Sequence, residues 1–343
     1  MRKSATQILI LVIPVGLGCV DPADVTLPAD TLPLVIEGLV TDQDGPDTVK
    51  VTKAYPVDGN YHSRIGVTGA QIAIADDEGN IDVLTDIGRG YYVTNTLVGT
   101  IGHTYTLSGT LPGGTRFEST AERMAPAGSI DSIYYEFIIS RDSKTGASEA
   151  GFNIYTNSHI ETGSSMRLQW RFRGTYQYTT DPSLIVTPMP LPCAQGCQCC
   201  VCFATEHETS PILSNSRFEG TTDFQRTFIQ YIPVNAFTFN DRYRVDVEQM
   251  EISQPVYDFY FGIRRQIQNA SSLFQPPFFE VSGNLTTIDG PKVIGVFSAA
   301  AVTRRHFYIK KSEVPVVLNS QPIAADCRVA VPHATTTVPP YWD

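Results

Sequence analysis

The stretch LVIEGLVTDQDGPDTVKVTKAY, residues 34–55, decides the fold class of this chain. Two runs rich in Val and Thr flank a turn of Asp, Gly and Pro, which is the pattern of two antiparallel strands joined by a hairpin. Short strand-like runs separated by polar turns continue from there to about Ala125. Several short strands at regular spacing predict an antiparallel sandwich. We therefore expect an immunoglobulin-like or prealbumin-like β-sandwich over residues 33–125.

Beyond Ala125-Pro126 the chain continues with longer strand-like runs, such as IDSIYYEFII and MRLQWRFRGTYQY. They predict a second, larger β-sandwich over residues 126–327 and an all-β protein as a whole. The Pro- and Thr-rich residues 328–343 are expected to lie extended over the surface as a C-terminal tail.

One segment of the second domain has a different period. After Ser253, apolar residues recur at helical spacing from Val256 to Ile267. This spacing places them on one face of an α-helix. We expect a single amphipathic helix over about residues 254–268, packed on the second sheet.

The N-terminal stretch MRKSATQILILVIPVGLGC has the features of a secretory signal: basic residues, a short apolar run, and small residues before Cys19. The run is too short to span a bilayer, which takes ~20 apolar residues. A cysteine at the cleavage point is typical of bacterial lipoproteins, so residues 1–18 are predicted as the signal peptide and Cys19 as the lipidation site. An ordinary signal with an incidental cysteine is the alternative, and Gly16 departs from the usual pattern. Residues 19–32 are expected to form a flexible tether.

Composition limits the classes of partner. The chain is 42% hydrophobic and 17% charged, with a formal charge of −10 that becomes −12 when Arg2 and Lys3 leave with the signal. Nucleic-acid binding depends on Lys and Arg neutralising phosphates, so this acidic balance argues against it. The same balance argues against attachment to anionic lipid by charge, so we expect the lipid at Cys19 to be the anchor.

The cysteines beyond Cys19 are even in number, and five of them cluster. In an exported protein they predict disulfides, because the compartment is oxidising. Soft-metal binding is the alternative, in which Cys327 or His207 could complete a zinc site. The spacing alone does not choose among the pairings. The disulfide candidates are Cys193, Cys197, Cys199, Cys200, Cys202 and Cys327.

No motif for catalysis or a cofactor is present. The chain lacks Gly-x-Ser-x-Gly, His-Glu-x-x-His and a phosphate loop. The turn DQDG begins like a calcium loop, but the ligands that should follow are missing, and hairpin turns favour Asp and Gly on conformational grounds alone. We therefore expect no enzyme, no metal and no cofactor. Phe278 and Phe279, after two prolines, are the candidates for an exposed recognition edge.

Several segments together resemble a known family. LVIEGLVTDQDGPDTVKVTKAY, VTGAQIAIADDEGN, IDSIYYEF, RFRGTYQY and FNDRYRVDVEQMEISQPVYDFYFGIRRQ resemble, in this order, the Bacteroidota lipoprotein family known as domain of unknown function 4249. The resemblance extends over about residues 33–310. It implies an outer-membrane lipoprotein, often encoded beside a TonB-dependent receptor of the SusC type, and it transfers no catalytic residue.

The expected function is therefore binding. We expect a lipid-anchored protein that faces the cell exterior and acts as an accessory subunit of a TonB-dependent receptor in the capture of a nutrient such as a glycan, a peptide or a metal chelate. Anchoring beside a receptor raises the effective concentration without tight affinity. A structural or assembly subunit without a small ligand is the first alternative, and a surface hydrolase is the second.

Overall fold

The computed structural model describes residues 34–53, 65–141, 146, 148–161, 167–184, 200–215, 222–269, 281–318 and 322–342. Within these ranges the chain is built mainly of β-strands with two helices, which confirms the predicted all-β fold. The strands are β1 Leu34–Thr41, β2 Thr48–Lys53, β3 Ile65–Gly66, β4 Gln71–Asp76, β5 Ile81–Val83, β6 Thr85–Gly88, β7 Tyr91–Val93, β8 Thr104–Thr110, β9 Arg116–Ser119, β10 Glu122–Arg123, β11 Ser129–Arg141, β12 Ser148–His159, β13 Leu168–Thr179, β14 Val201–His207, β15 Ile212–Leu213, β16 Asp223–Pro233, β17 Arg242–Glu251, β18 Leu285–Asp289, β19 Val293–Ala300 and β20 Thr303–Lys310. The helices are α1 Gln254–Asn269 and α2 Cys327–Ala330.

The first sandwich consists of two six-stranded sheets. One has the order β19-β1-β2-β7-β6 with β3 beside β2, and the other the order β18-β9-β8-β4-β5 with β10 beside β8. Alternate residues of the central strands face inward and form one apolar core, as the period of two in the sequence predicts. The largest fully buried side chains of this core include Tyr92, Phe117 and Phe297.

The expected closure of the first sandwich near residue 125 is wrong. Two of its strands, β18 and β19, come from beyond helix α1, and β19 runs parallel to β1 from Leu34 opposite Val293 to Thr41 opposite Ala300. Gly295 allows this close pairing, because its φ is +139° and an added Cβ would lie 1.8 Å from the carbonyl oxygen of Ile36. Local periodicity identifies a strand but carries no information about a partner strand so distant along the chain.

The second sandwich consists of a three-stranded sheet, β11-β12-β16, and a sheet of the order β14-β13-β17-β20 with β15 beside β13. We call the latter the floor sheet. Its core-facing residues pack with those of the three-stranded sheet around Trp170, Phe152 and Tyr243. The chain passes directly from the first sandwich to the second, because β19 of the first is followed by β20 of the second.

Helix α1 confirms the predicted segment and ends one residue later than expected. Its buried residues Val256 and Phe259 pack in a small core with Val296 of β19 and Met250 of β17. The helix thus lies between the two sandwiches and does not pack on the second sheet alone. Neither helix of the described ranges has the length and apolar character of a membrane span.

The C-terminal tail does not simply lie over the surface. Thr335 exchanges backbone hydrogen bonds with Phe203 of β14, and Trp342 is only 4% exposed. The tail therefore adds to the floor sheet and buries an aromatic side chain against it.

Candidate binding cleft

A polar cleft of about 820 Å³ lies between the first sandwich and the floor sheet, and we call it the binding cleft. This volume is in the range of small-molecule sites. Its walls are the outer face of β1, β2 and β7, the turn between β1 and β2, and the outer face of the floor sheet. The polar and charged lining residues are Glu37, Thr41, Gln43, Asp44, Asp47, Thr48, Lys50, Tyr91, Gln169, Arg171, His207, Glu248, Tyr260, Ser298 and Arg304.

The turn between β1 and β2 is held in place by Asp47. Its carboxylate accepts hydrogen bonds from the backbone N–H of Thr41 at 2.7 Å and from the Thr41 hydroxyl at 2.9 Å. The backbone N–H of Asp47 donates to the hydroxyl oxygen of Thr94 at 2.9 Å. Burial raises the pKa of Asp47 to about 6. Because both carboxylate oxygens are engaged by Thr41, this acid has a structural role.

The same turn is tied to the second sandwich. Val302, which joins β19 to β20, donates its backbone N–H to Oδ1 of Asp42 at 2.9 Å, and its carbonyl accepts from the Gln43 amide at 3.1 Å. Asp42 of the DQDG turn thus serves as a hydrogen-bond acceptor inside the protein. Among the described residues, no group of three His, Cys, Asp or Glu side chains is arranged to hold a metal ion.

A row of alternating charges crosses the base of the binding cleft. Arg171 of β13 lies opposite Glu248 of β17, which lies opposite Arg304 of β20. Arg304 Nε donates to Glu248 Oε1 at 2.7 Å. The carboxylate of Glu208 accepts from the backbone N–H of Phe172 at 3.0 Å, and burial raises the pKa of Glu208. The charges of this row are therefore largely compensated within the protein.

Two neutral polar side chains, those of Gln169 and Ser298, line the binding cleft. Gln169 is 5% exposed and Ser298 is 4% exposed. The hydroxyl oxygen of Ser298 is buried without a hydrogen-bond partner in the described part of the chain. Buried polar groups are nearly always paired, so this hydroxyl is an exception in the cleft wall. Nothing in the sequence distinguishes these two residues from other strand residues.

At the far end of the floor sheet, the C-terminal tail is held by arginines. The guanidinium of Arg173 lies 3.9 Å from the ring centroid of Tyr341, and that of Arg242 lies 4.9 Å from the ring of Trp342. Tyr308 donates its hydroxyl to the carbonyl oxygen of Trp342 at 2.8 Å. Such cation–π contacts contribute roughly 0.5–2 kcal/mol each.

A disulfide fastens the start of this tail. Cys202 of β14 is bonded to Cys327 of α2, so two of the predicted disulfide cysteines are paired. Cys200 is described and buried. The other predicted site residues lie outside the described residues; they are Cys19, Cys193, Cys197, Cys199, Phe278 and Phe279.

A second surface lies on the outer face of the three-stranded sheet. Tyr134 stacks on Tyr155 with ring centroids 5.7 Å apart, and Phe228, 48% exposed, meets Tyr155 edge-on at 5.9 Å. The guanidinium of Arg226 lies 4.5 Å from the Tyr155 ring and forms a bidentate ion pair with Glu136. We call these five residues the aromatic strip.

Within the aromatic strip, an unusual backbone conformation at Arg226 directs its side chain toward Tyr155. Its φ is +53°, in the left-handed region that non-glycine residues rarely adopt, and its backbone N–H donates to Asn157 Oδ1 at 2.8 Å. The register between β12 and β16 shifts between Thr156 and Ser158, where Asn157 lies, and again between Ile154 and Tyr155. Bulges of this kind re-aim a side chain and recur beside functional sites.

The comparisons with known proteins give a family and no named relative. A comparison with curated proteins finds no match. A family model described as "Domain of unknown function (DUF4249)" matches residues 20–306, which is most of the chain and includes β1 to β19, both walls of the binding cleft and the aromatic strip. The chain therefore belongs to the family of domain of unknown function 4249.

Proposed function

We propose that this protein is a non-catalytic binding protein, lipid-anchored at Cys19 on the outer face of the outer membrane, that serves as an accessory subunit of a TonB-dependent receptor in nutrient capture. The observation that carries the proposal is the binding cleft, a cavity of about 820 Å³ with mostly polar and charged lining residues, Gln169 and Arg171 among them. A cleft of this size is in the range of small-molecule sites, and its polar side chains can hydrogen-bond a ligand.

The aromatic strip supports the part of the proposal that concerns binding to a receptor protein. Tyr, Phe and Arg are enriched at the centre of protein interfaces, where a few of them carry most of the binding energy. One face of the Tyr155 ring is packed on Tyr134 and Arg226 contacts the same ring. A stacked sugar would need a free ring face, whereas a protein partner can use ring edges, hydroxyls and the exposed side of Phe228. The aromatic strip is therefore better suited to a protein.

A structural or assembly subunit is the second candidate, because the aromatic strip would serve a permanent complex equally well. A hydrolase has less support: burial raises the pKa of Asp47 to about 6, as in many catalytic acids, but both of its oxygens are bonded to Thr41. Activity on a panel of glycan and peptide substrates would revive that candidate.

The test is affinity purification of the full-length protein from native outer membranes in mild detergent, with mass spectrometry of what copurifies. The proposal expects a stoichiometric TonB-dependent receptor, which Phe228→Ser should release. Ile87→Ser is the matched control, since Ile87 is an exposed apolar residue of β6, outside the aromatic strip. Recovery of the protein alone, or with assembly machinery, would contradict the accessory role.

A further inference from the structure

We propose that the surface beneath the C-terminal tail is a docking site for an extended segment of a partner protein, in which an acidic residue precedes an aromatic one. We call this surface the tail groove. Its residues are Phe203 of β14, Arg173 of β13, Arg242 and Arg244 of β17, and Tyr308 of β20. The inference goes beyond the proposed function and does not depend on it, because the tail groove and the aromatic strip lie on different sheets of the second sandwich.

The protein's own tail shows how the tail groove holds a segment of chain. Thr335 exchanges backbone hydrogen bonds of 2.8 and 3.0 Å with Phe203, so the segment begins as an addition to the edge strand β14. It ends at Trp342, whose carbonyl oxygen accepts from Arg242 Nη2 at 3.2 Å and from the Tyr308 hydroxyl at 2.8 Å. Backbone pairing at a sheet edge together with a buried aromatic anchor is a common mode of peptide recognition. The tail groove is therefore suited to a polypeptide.

The tail groove contains more positive than negative charge. The guanidinium groups of Arg173, Arg242 and Arg244 lie in it, although the whole chain has a formal charge of −10. In the described part of the chain, Asp246 is the one carboxylate that pairs with them, at 2.8 Å from Arg244 and 3.5 Å from Arg173. The Arg244 side chain is only 8% exposed. Buried charges are normally matched by opposite charges, so a further carboxylate is the group that would complete this surface.

The tail meets these guanidinium groups with neutral groups. The ring centroid of Tyr341 lies 3.9 Å from the guanidinium carbon of Arg173 and 5.4 Å from that of Arg244. The Tyr341 carbonyl oxygen accepts a hydrogen bond from Arg244. A carboxylate in the place of this ring would form charge-assisted hydrogen bonds, which are roughly twice as strong as neutral ones. The preferred occupant therefore has an acidic residue at the position of Tyr341 and an aromatic residue at that of Trp342.

The end of the tail can leave the tail groove without opening a core. Residues 335–338 are exposed, and Trp342 is the buried anchor. The disulfide at Cys327 keeps the start of the tail attached, so a detached tail stays close and competes with a partner at high effective concentration. A partner segment must therefore bind more tightly than the tail does, and its carboxylate supplies the difference.

The tail groove adjoins the binding cleft on the same face of the floor sheet. Side chains two residues apart on a strand share a face. Arg171 lines the binding cleft and Arg173 the tail groove, and their partners across the sheet are Glu248 and Asp246. A partner segment in the tail groove would thus lie beside the binding cleft.

Three peptides test the inference on the full-length protein in detergent, with its own tail released by Trp342→Ala. One peptide copies residues 335–342, TTTVPPYW, and the other two carry Glu or Gln in the place of Tyr341. All three are acetylated and amidated, so that no terminal charge contributes. Calorimetry at low salt should show the Glu peptide binding about tenfold more tightly than the Gln peptide, which has nearly the same shape, and more tightly than the tail copy. High salt should reduce the difference.

Two further comparisons locate the site. Arg173→Gln, added to Trp342→Ala, should remove the preference for Glu over Gln. Arg116→Gln is the matched control, because it changes an exposed arginine of β9 and should keep the preference. The wild type should bind the Glu peptide about tenfold more weakly than Trp342→Ala does, since its tail competes.

The inference is overturned if no peptide binds, if the Glu and Gln peptides bind equally, if the tail copy binds most tightly, or if the preference survives Arg173→Gln. Wild-type binding as tight as that of Trp342→Ala would place the peptides on another surface and overturn it as well. Circular dichroism checks that Trp342→Ala is folded; if it is not, Tyr341→Ala takes its place, because it removes the ring contacts with Arg173 and Arg244 and keeps the Trp342 anchor. Copurification of a receptor is decided separately, by Phe228→Ser.

Discussion

Trp170 and Gln249 face each other across β13 and β17, and the indole Nε1 donates a hydrogen bond of 2.9 Å to Oε1 of Gln249. The Gln249 amide nitrogen donates to the carbonyl oxygen of Ala127 at 2.7 Å. One glutamine thus joins the floor sheet to the segment that connects the two sandwiches. Gln169, the neighbour of Trp170 on β13, faces the other side of the same sheet and lines the binding cleft. The two glutamines therefore allow the same substitution to be compared in the core and at the cleft.

The two Gln→Met variants should differ in their effect on stability. Gln249→Met leaves the Trp170 N–H and the Ala127 carbonyl unpaired in the core and should lower the free energy of unfolding by about 2–3 kcal/mol. Gln169→Met changes a side chain at the cleft and should lower the free energy of unfolding by less than about 1 kcal/mol. Urea unfolding followed by tryptophan fluorescence measures both. Equal losses for the two variants would contradict the role assigned to Gln249.

The change of the free energy of unfolding with pH should depend on the ionisation of Asp47. The pKa of Asp47 is about 6 in the folded protein, whereas the ordinary value of an Asp carboxyl is 3.8. Between these two pH values the folded state holds a proton that the unfolded chain has released. The free energy of unfolding therefore falls as the pH rises through this window. In Asp47→Asn the fall should disappear, because the amide does not titrate and can still accept from the Thr41 N–H.

At pH 8 the Asp47→Asn variant should be the more stable protein by about 1–2 kcal/mol, less than the full shift implies because the carboxylate is partly solvated. Urea titrations at intervals from pH 4 to pH 8 test this. Asp86→Asn, an exposed acid whose pKa is lowered by backbone hydrogen bonds, is the control and should change stability in the opposite sense. Parallel pH curves for wild type and Asp47→Asn would refute the assignment.

The disulfide between Cys202 and Cys327 should contribute strongly to stability. It closes a loop with a sequence separation of 125 residues, and loops of this size restrict the unfolded chain by about 3–5 kcal/mol. We expect Cys202→Ala and Cys327→Ala each to lose about 3–4 kcal/mol. The double variant should lose little more than either single one, because the same bond is absent in all three. Additive losses would mean that each cysteine acts through other contacts.

Trp342 should anchor the C-terminal tail. It packs edge-on against Phe203 with ring centroids 5.3 Å apart, and the guanidinium of Arg242 lies against its indole ring. Trp342→Ala should cost about 3 kcal/mol, the low end for a buried tryptophan, because this segment can detach without opening the core of the sandwich. Carboxypeptidase should then digest the tail faster than in Val338→Ala, whose side chain is exposed. Equal digestion rates would mean that the disulfide alone holds the tail.

The parts of the fold that depend on local pattern were predictable. The strands from Leu34 onward follow a period of two, and α1 follows the helical period from Val256 to Ile267, so neighbouring residues alone identify them. The prediction of disulfides followed from the even number of cysteines in a chain expected to be exported, and Cys202 is paired with Cys327. The identity of that partner required the floor sheet to bring β14 beside α2.

The all-β class, the long helix α1 and the family resemblance follow from the order and spacing of side chains along the chain. Tertiary packing sets three further features: β18 and β19 return to the first sandwich, the tail is docked through Trp342, and Gln169 lines the binding cleft while Gln249 is bonded in the core. Side-chain alternation puts successive strand residues on opposite faces, but which face meets a core and which meets a cleft depends on sheets that pack from distant parts of the chain.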